Sequence, residues 1–391
     1  MSNTTDKRLL IVWPQYRTHN RSFFESILEI PEVLLEVIWV RPHRADDLPG
    51  LNFLAQCASH VVGAKDIRVG DYTLATLQRL VRLLVPAVLR CDAVLSSTQA
   101  PLHSKVAFFT ARLLRRKIFL VLQQWEDLPG RGVWGRLYGK IGYAMLRRAD
   151  RVFVHGQNQA QFALSRGCKA ERIAVLPFLS DDLAEGSIPA IEAKKRLGLE
   201  GRKVVLYFSR VTPQKGLDLL ISAFRIISEQ LPGTTLLVCG GADQHFADYG
   251  EAYSYAAHCK TQAAGLNVQF MGEVAPADKA IYFSAADVFV HPHANTPLTN
   301  EGWGLVINEA ASMGIPIVAT RKVAAAADLV RHGESGFVLT PGSITELTEK
   351  VSWLLCNDEE RSQFGQKSRE VFESYHRPEN IAARLQEAML G

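Results

Sequence analysis

Short runs of β-branched and aromatic residues alternate with longer segments of 3.6-residue periodicity along the whole chain. The pattern predicts strands at 8–13, 33–40, 93–96, 117–123, 150–154 and 172–176, with helices such as 73–89, 103–115 and 133–148 between them. The second half repeats the scheme, with strands at 203–208, 234–239, 267–271, 287–291 and 315–319. Strands that alternate with helices predict an α/β fold with parallel sheets. The strand segments are continuously apolar, as a sheet covered on both faces requires. The alternation lapses at 177–189, where FLSDDLAEGSIPA is rich in acids, Gly and Pro. Domains are therefore expected at 1–180 and 181–375, with 376–391 a helix packing back on the first. No repeat of fixed period occurs, and the alanine run at 324–327 is the sole low-complexity stretch. Two doubly wound domains in tandem would place a ligand cleft between the carboxyl edges of their sheets.

Composition narrows this picture little. The 391 residues are 47% hydrophobic and 21% charged, which excludes a disordered or collagen-like chain. Six cysteines without a CxxC offer neither a disulfide framework nor a zinc knuckle, so a reducing compartment is expected. Only five apolar residues separate Lys7-Arg8 from Pro14, too few for a signal-peptide core. No uncharged apolar run approaches the roughly 18 residues of a membrane span, so a cytoplasmic location is expected, in solution or peripheral on the cytoplasmic face of a membrane. Charge changes the picture more. Residues 1–180 carry 25 Lys+Arg against 14 Asp+Glu, and residues 181–391 carry 19 against 26. Different partners for the two halves would explain the division, as would ordinary solvated surface.

Two segments carry candidate chemistry. In SRVTPQKG, directly after the strand VVLYF, Thr212-Pro213 reads as the entry to the following helix. Arg210 and Lys215 then flank a strand-to-helix junction, where two cations beside free backbone N–H groups suit a diphosphate, although two solvated loop charges would look the same. In EGWGLVINEA, Glu301 precedes a helix, Glu309 falls in its second turn, and Gly304 leaves room for a ligand near the first N–H groups. A carboxylate accepts hydrogen bonds from adjacent hydroxyls and so suits a vicinal diol, although an acid early in a helix also complements its dipole. Ile307 stands where a dinucleotide fingerprint has its third glycine, and the first half lacks GxGxxG, which disfavours a nicotinamide enzyme.

In order and spacing, SRVTPQKGLDLLISAF, LLVCGG, VQFMGEV, AADVFVHPH, EGWGLVINEA and GIPIVAT resemble the donor-domain pattern of family 4 retaining glycosyltransferases. The resemblance spans about 203–345 and covers 1–180 in architecture only. It implies the GT-B fold, two Rossmann-like domains facing across a cleft, with 1–180 on the acceptor side and 181–375 binding a nucleotide sugar. By resemblance, Arg210 and Lys215 hold the donor diphosphate and stabilise the leaving group. Glu309 binds the ribose, Glu301 lies by the donor sugar, Gly304 and Leu305 offer N–H groups to phosphate, and Glu273-Val274 lies beside the base. Glu301, Arg210 and Lys215 are the expected catalytic set. The sequence contains no D-x-D triplet, so a reaction needing no metal and no cofactor beyond the donor is expected.

The first half departs from the family. Pro14-Gln15-Tyr16-Arg17-Thr18-His19-Asn20 replaces a glycine pair with a Glu, and Gln123-Gln124-Trp125-Glu126-Asp127 replaces a segment with a His. His19, His103, Glu126 and Asp127 are the acceptor-side candidates, as polar residues at predicted strand ends facing the cleft, and His155 is an ambiguous further one. His291 and His293 resemble metal ligands superficially but lack a third partner. In GVWGRLYGKIGYAMLRR an apolar stripe with Trp134, Leu137, Tyr138, Ile141 and Met145 runs beside Arg136, Lys140 and Arg147, which fits an anionic membrane surface or a sheet-packing helix equally. No nucleic-acid motif accompanies this charge. The expected activity is transfer of a hexose from a nucleoside-diphosphate sugar to a hydroxyl of a glycan or lipid-linked acceptor, in cell-surface polysaccharide or lipopolysaccharide synthesis. The alternatives are a nucleotide-sugar epimerase or phosphorylase on the same fold, and a non-catalytic membrane-associated subunit.

Overall fold

The computed structural model describes residues 6–14, 21–31, 33–40, 57–61, 74–97, 102–126, 132–242, 249–294 and 301–390. They fall into two compact units, Met1–Leu179 with Arg377–Gly391, and Ser180–His376. The first unit contains β1 (Lys7–Trp13), α1 (Arg21–Leu28), β2 (Val33–Trp39), β3 (Ala58–Val61), α2 (Leu74–Arg90) and β4 (Ala93–Ser97). It continues with α3 (Leu102–Leu113), β5 (Lys117–Leu122), α4 (Gly132–Arg148), β6 (Arg151–Val154), α5 (Gln157–Ser165) and β7 (Ile173–Val175). The second unit begins with α6 (Ala190–Arg196), β8 (Lys203–Phe208), α7 (Leu217–Gln230), β9 (Thr234–Cys239), α8 (Tyr249–Gln262), β10 (Val268–Gly272) and α9 (Lys279–Ser284). It ends with β11 (Val288–His291), α10 (Val306–Ser312), β12 (Ile317–Thr320), α11 (Ala326–Leu329), β13 (Gly336–Leu339), α12 (Ile344–Cys356) and α13 (Asp358–Tyr375). The last helix, α14 (Pro378–Leu390), belongs to the first unit.

Among the described residues the first sheet has the strand order β3-β2-β1-β4-β5-β6-β7 and the second β10-β9-β8-β11-β12-β13, with every pairing parallel. Both are doubly wound, so the expected α/β class holds. The apolar runs have the predicted cause. Along β1, Leu10 and Val12 enter one core cluster, while Leu9, Ile11 and Trp13 enter another, so both faces of the sheet are covered. Two strands lie outside the predicted set. β3 reads ASHV, exposed or half-buried throughout at a sheet edge, whereas β13 reads GFVL, an apolar and mostly buried run at the edge of the second sheet.

A recurrent device registers the strands. Asp92, Asp150 and Asp287 each precede a strand, and each donates its backbone N–H to the carbonyl of a neighbouring strand's second residue at 2.9 Å. Its carboxylate accepts that residue's N–H in return, from Arg8 at 2.8 Å, Ile118 at 2.8 Å and Val204 at 2.7 Å. These short acidic side chains cap strand ends that would otherwise leave N–H groups unpaired.

Helix α14 joins the cluster behind β1 through Ile381 and Leu385, both fully buried, with Ala388 and Met389, and it packs against α1. Among the described residues no helix is long and apolar enough to cross a membrane. Leu385→Ala is expected to destabilise the protein by about 2–5 kcal/mol in urea unfolding, the usual cost of emptying a core leucine site. A change below about 0.5 kcal/mol, the range of exposed positions, would mean that α14 is not part of this core.

Candidate functional site

In the second sheet the connections leave in opposite directions between β8 and β11, the point at which doubly wound sheets open a crevice at their carboxyl ends. Three loops converge there. After β8 the chain passes through Arg210 into a 3₁₀ turn, Pro213–Lys215. Gly216 follows in the left-handed region, at φ +67°, and caps α7. Thr212-Pro213 therefore does not enter α7 as expected. It opens a separate turn, and Thr212 makes no capping hydrogen bond, because the left-handed glycine ends that turn before α7 starts. The extra turn brings Lys215 inward.

Gly216 has a steric reason as well. A β-carbon there would lie 2.2 Å from the carbonyl oxygen of Pro292, in the loop after β11. The two loops are also joined by Ala294 N–H donating to Gln214 O at 2.8 Å and by a short contact between His293 Nδ1 and that same oxygen. Lys215 is consequently buried, with 8% of its surface exposed. Its Nζ contacts Glu301 Oε2, and fully buried His291 lies 3.9 Å from that oxygen through Nε2. Burial first, and then the Arg210 charge, brings the Lys215 ammonium down to about 7, while the carboxylate against it favours the charged form. Burial, with Lys215 and His293 adding to it, holds His291 well below the ordinary imidazole range, so the ring is neutral. Arg210 is exposed, and the buried Tyr207 hydroxyl donates to its carbonyl at 3.0 Å, fixing the backbone from which it projects.

Glu301 is held by the loop after β12. It forms a parallel bridge with Val323, donates its N–H to Lys322 O at 3.0 Å and accepts from Ala324 N–H at 3.3 Å. The alanine run thus serves as a buried backbone ledge. Gly304, at φ +94°, would place a β-carbon 2.6 Å from Val323 Cγ1, so close packing also demands this glycine. Helix α10 starts at Val306, and Glu309 therefore closes its first turn instead of lying in the second. Glu309 is buried, with Lys279 Nζ 2.6 Å from its Oε1. Burial raises its carboxyl and Lys279 opposes that rise.

The structure gathers Lys215 and Glu301 directly, with Arg210 beside Lys215, while Gly304, Leu305 and Glu309 follow at the entry to α10. Glu273, exposed, and Val274, half-buried, stand at the end of β10 beside Gly241. The acceptor-side candidates fare differently. His103 is not a strand-end residue facing outward: it lies in α3, 2% exposed, with Nε2 3.4 Å from Ser97 Oγ. His155 is likewise buried, bonded through Nδ1 to Leu176 O at 3.1 Å and brought down to about 4 by burial. Glu126 is half-buried after β5. His19 and Asp127 lie outside the described residues, as do the side chains of Trp134 and Arg136. Sequence reasoning missed Tyr207 and Lys279 and considered His291 only as a metal ligand. Among the described residues no three His, Cys, Asp or Glu side chains gather as a metal site. A cavity of about 760 Å³ lies at the opposite edge of this sheet, beside Asp287 and Pro316. Its charges are already engaged, Lys194 with Asp287 at 2.7 Å and Arg369 with Asp182 at 2.7 Å.

Residues 187–371 match the family model described as glycosyl transferases group 1. The GDP-mannose-dependent alpha-(1-6)-phosphatidylinositol monomannoside mannosyltransferase of Mycobacterium tuberculosis is 28% identical over 267 residues, 64% of this chain and 67% of that protein. The capsular polysaccharide biosynthesis glycosyltransferase CapM of Staphylococcus aureus is 27% identical over 61% of this chain and 60% of its own length. Among solved structures, Anabaena HepE in complex with UDP superposes with a TM-score of 0.76 at 19% identity, covering 98% of this chain and 99% of that one. Sucrose-phosphate synthase from Thermosynechococcus elongatus gives 0.73 at 18% identity, covering 97% and 98%. The fold is therefore GT-B, and the enzyme class is glycosyltransferase.

The closure of the two loops can be tested with a pair of glycines that share φ +67°. Gly216 meets the Pro292 carbonyl, whereas Gly198 has nothing within 4 Å of its missing β-carbon. Gly198→Ala should cost about 1–2 kcal/mol in urea unfolding, the strain of a left-handed alanine. Gly216→Ala should cost at least about 1 kcal/mol more, from forced displacement of packed backbone. Equal losses would show that the loops do not approach as described.

Proposed function

We propose that this GT-B glycosyltransferase moves a hexose from a nucleoside-diphosphate sugar to a hydroxyl of a glycan or lipid-linked acceptor, with retention of the anomeric configuration. The observation that carries the reading is the contact of buried Lys215 with Glu301 at the β8/β11 switch point, with Arg210 exposed on the loop that carries Lys215. Two cations there suit a diphosphate, and cations aimed at a departing phosphate stabilise charge that develops only as the glycosidic bond breaks. Lys215 supplies this in a dry setting, where a fixed charge acts most strongly. Glu301 takes hydroxyls of the donor sugar and Glu309 those of the ribose, as carboxylate acceptors. Gly304 and Leu305 offer backbone N–H groups to phosphate, and Glu273-Val274 borders the base.

On this reading the bond from the anomeric carbon to the phosphate oxygen breaks, and the acceptor oxygen bonds to that carbon from the same face. The acceptor's proton passes to the departing phosphate oxygen, which leaves as a nucleoside diphosphate. Arg210 and Lys215 supply the positive charge that a divalent metal would otherwise bring, so transfer proceeds without one. The mannosyl and capsular relatives favour a cell-surface glycan or glycolipid product, formed at the cytoplasmic membrane face. A membrane role for the basic half rests on the start of α4, where Leu137 and Tyr138 are exposed beside Lys140, whereas Ile141 and Met145 of the same stripe pack into the core. Acceptor contacts fall to Glu126 and to His19 and Asp127 rather than to the buried His103.

Thermal stability in the presence of UDP, GDP, ADP or dTDP, each with and without magnesium, is the first test. A nucleotide at 100 times its dissociation constant should add about 2.7 kcal/mol. Lys215→Ala and Glu309→Ala should each depress transfer at least tenfold, or about 1.4 kcal/mol. If both leave transfer unchanged, the site is misassigned. Nucleotide affinity should fall as pH rises through about 7, where Lys215 loses its proton in the free protein. Lys215→Arg, whose guanidinium stays charged, should flatten that fall. A parallel decline in both proteins would remove Lys215 from phosphate binding.

A further inference from the structure

Lys279 has no part in the reading above. It opens α9, 30 residues before Glu309, and its Nζ sits 2.6 Å from Glu309 Oε1 and 5.8 Å from the centroid of the Phe208 ring at the end of β8. We propose that Lys279 is a positioning residue that keeps Glu309 an anionic acceptor for both ribose hydroxyls, so that the site selects ribonucleoside over 2′-deoxyribonucleoside diphosphates. This rests on the assignment of Glu309 to the ribose.

The argument is one of proton inventory. An ionised carboxylate is acceptor-only, with about four lone-pair sites, of which Lys279 takes one. A protonated carboxyl instead brings a donor of its own and loses acceptor strength. A carboxylate as buried as Glu309 tends toward the protonated form unless a cation is in contact. Asp181, ahead of α6, pushes in the same direction as burial, and Lys279 opposes both. Three other elements packed against α10 bring charges near it. Arg369 of α13 pairs with Asp182 and Glu373 and donates to Ser312 O at the end of α10 at 2.6 Å, Glu185 lies in the turn at 183–186, and Asp328 belongs to α11, whereas Lys279 is the cation in contact with the Glu309 carboxylate. The backbone of Glu309 is fixed by its N–H to Leu305 O at 3.2 Å and by Ser312 Oγ donating to its carbonyl at 2.9 Å. An anion held in place and kept acceptor-only discriminates against a sugar lacking one hydroxyl, because the lost hydrogen bond leaves a buried acceptor unsatisfied.

The test is calorimetric titration of the full chain with UDP, GDP and their 2′-deoxy analogues, at pH 6.5 and pH 9. The quantity read is the ribo-to-deoxy affinity ratio, from which the Lys215 titration cancels. The wild-type protein should prefer the ribo form at least tenfold at both pH values. Lys279→Met should lose most of that preference at pH 6.5 and regain part of it at pH 9, as Glu309 ionises with rising pH. Lys279→Arg should keep the preference throughout, and Lys279→Gln should behave as Lys279→Met if the methionine variant does not fold. If Glu309→Ala abolishes the preference while Lys279→Met and Lys279→Gln retain it at both pH values, Lys279 merely packs and the inference falls. If Glu309→Ala retains the preference, or neither diphosphate binds the wild-type protein, the ribose assignment itself falls.

Discussion

The second unit is organised around a buried ammonium. Lysine is among the residues least often found inside a protein, because removing its charge from water costs far more than packing its stem recovers. Lys215 is placed inside all the same, by a 3₁₀ turn that a left-handed Gly216 terminates against the Pro292 carbonyl. From that placement the rest follows. A carboxylate must stand beside it, which Glu301 supplies from a different loop. Glu301 must in turn be held, and the loop after β12 does so through Val323 and the alanine ledge. His291, sealed beneath the pair, is kept neutral by its burial, with the same cation adding to the effect. The bend after β8, the tight Gly216 approach and the alanine run are local consequences of one electrostatic demand.

Much of this was legible in the sequence, and the limits have physical causes. Strand positions in both sheets follow from apolar runs because parallel strands covered on two faces leave no room for polar residues. The strands at 203–208 and 234–239 agree with β8 and β9 to the residue. β3 was invisible because an edge strand needs little apolar burial, and its ASHV has almost none. The site motifs were legible as ordered blocks, since glycine and proline punctuate the loops that shape them. Their local geometry was not. Thr212-Pro213 has the composition of a helix start, and only the close approach of the Pro292 carbonyl explains why a separate turn intervenes. Lys279 carried no signal, since an ion pair spanning 30 residues leaves no periodicity in the sequence. His103 misled for the opposite reason: a histidine after a strand looks available, but the helix that starts there turns it inward.

The two cations of SRVTPQKG look interchangeable in sequence and are not so in the fold. Arg210 is exposed, and it presents a planar guanidinium fork at the surface. Lys215 is desolvated, and its charge is poised near neutrality. An exposed fixed charge acts at long range and is screened by salt, whereas a buried one acts at contact and is screened far less. In a site that receives a diphosphate, the first would raise the encounter rate, and the second would act on the bond that breaks. Exchanging the two residue types would keep the net charge and undo this division. A lysine at 210 would lose the planar fork, and an arginine at 215 would carry a charge that burial does not bring near neutral pH, as it does that of Lys215. Spacing alone therefore does not make the site; which cation is buried matters as much.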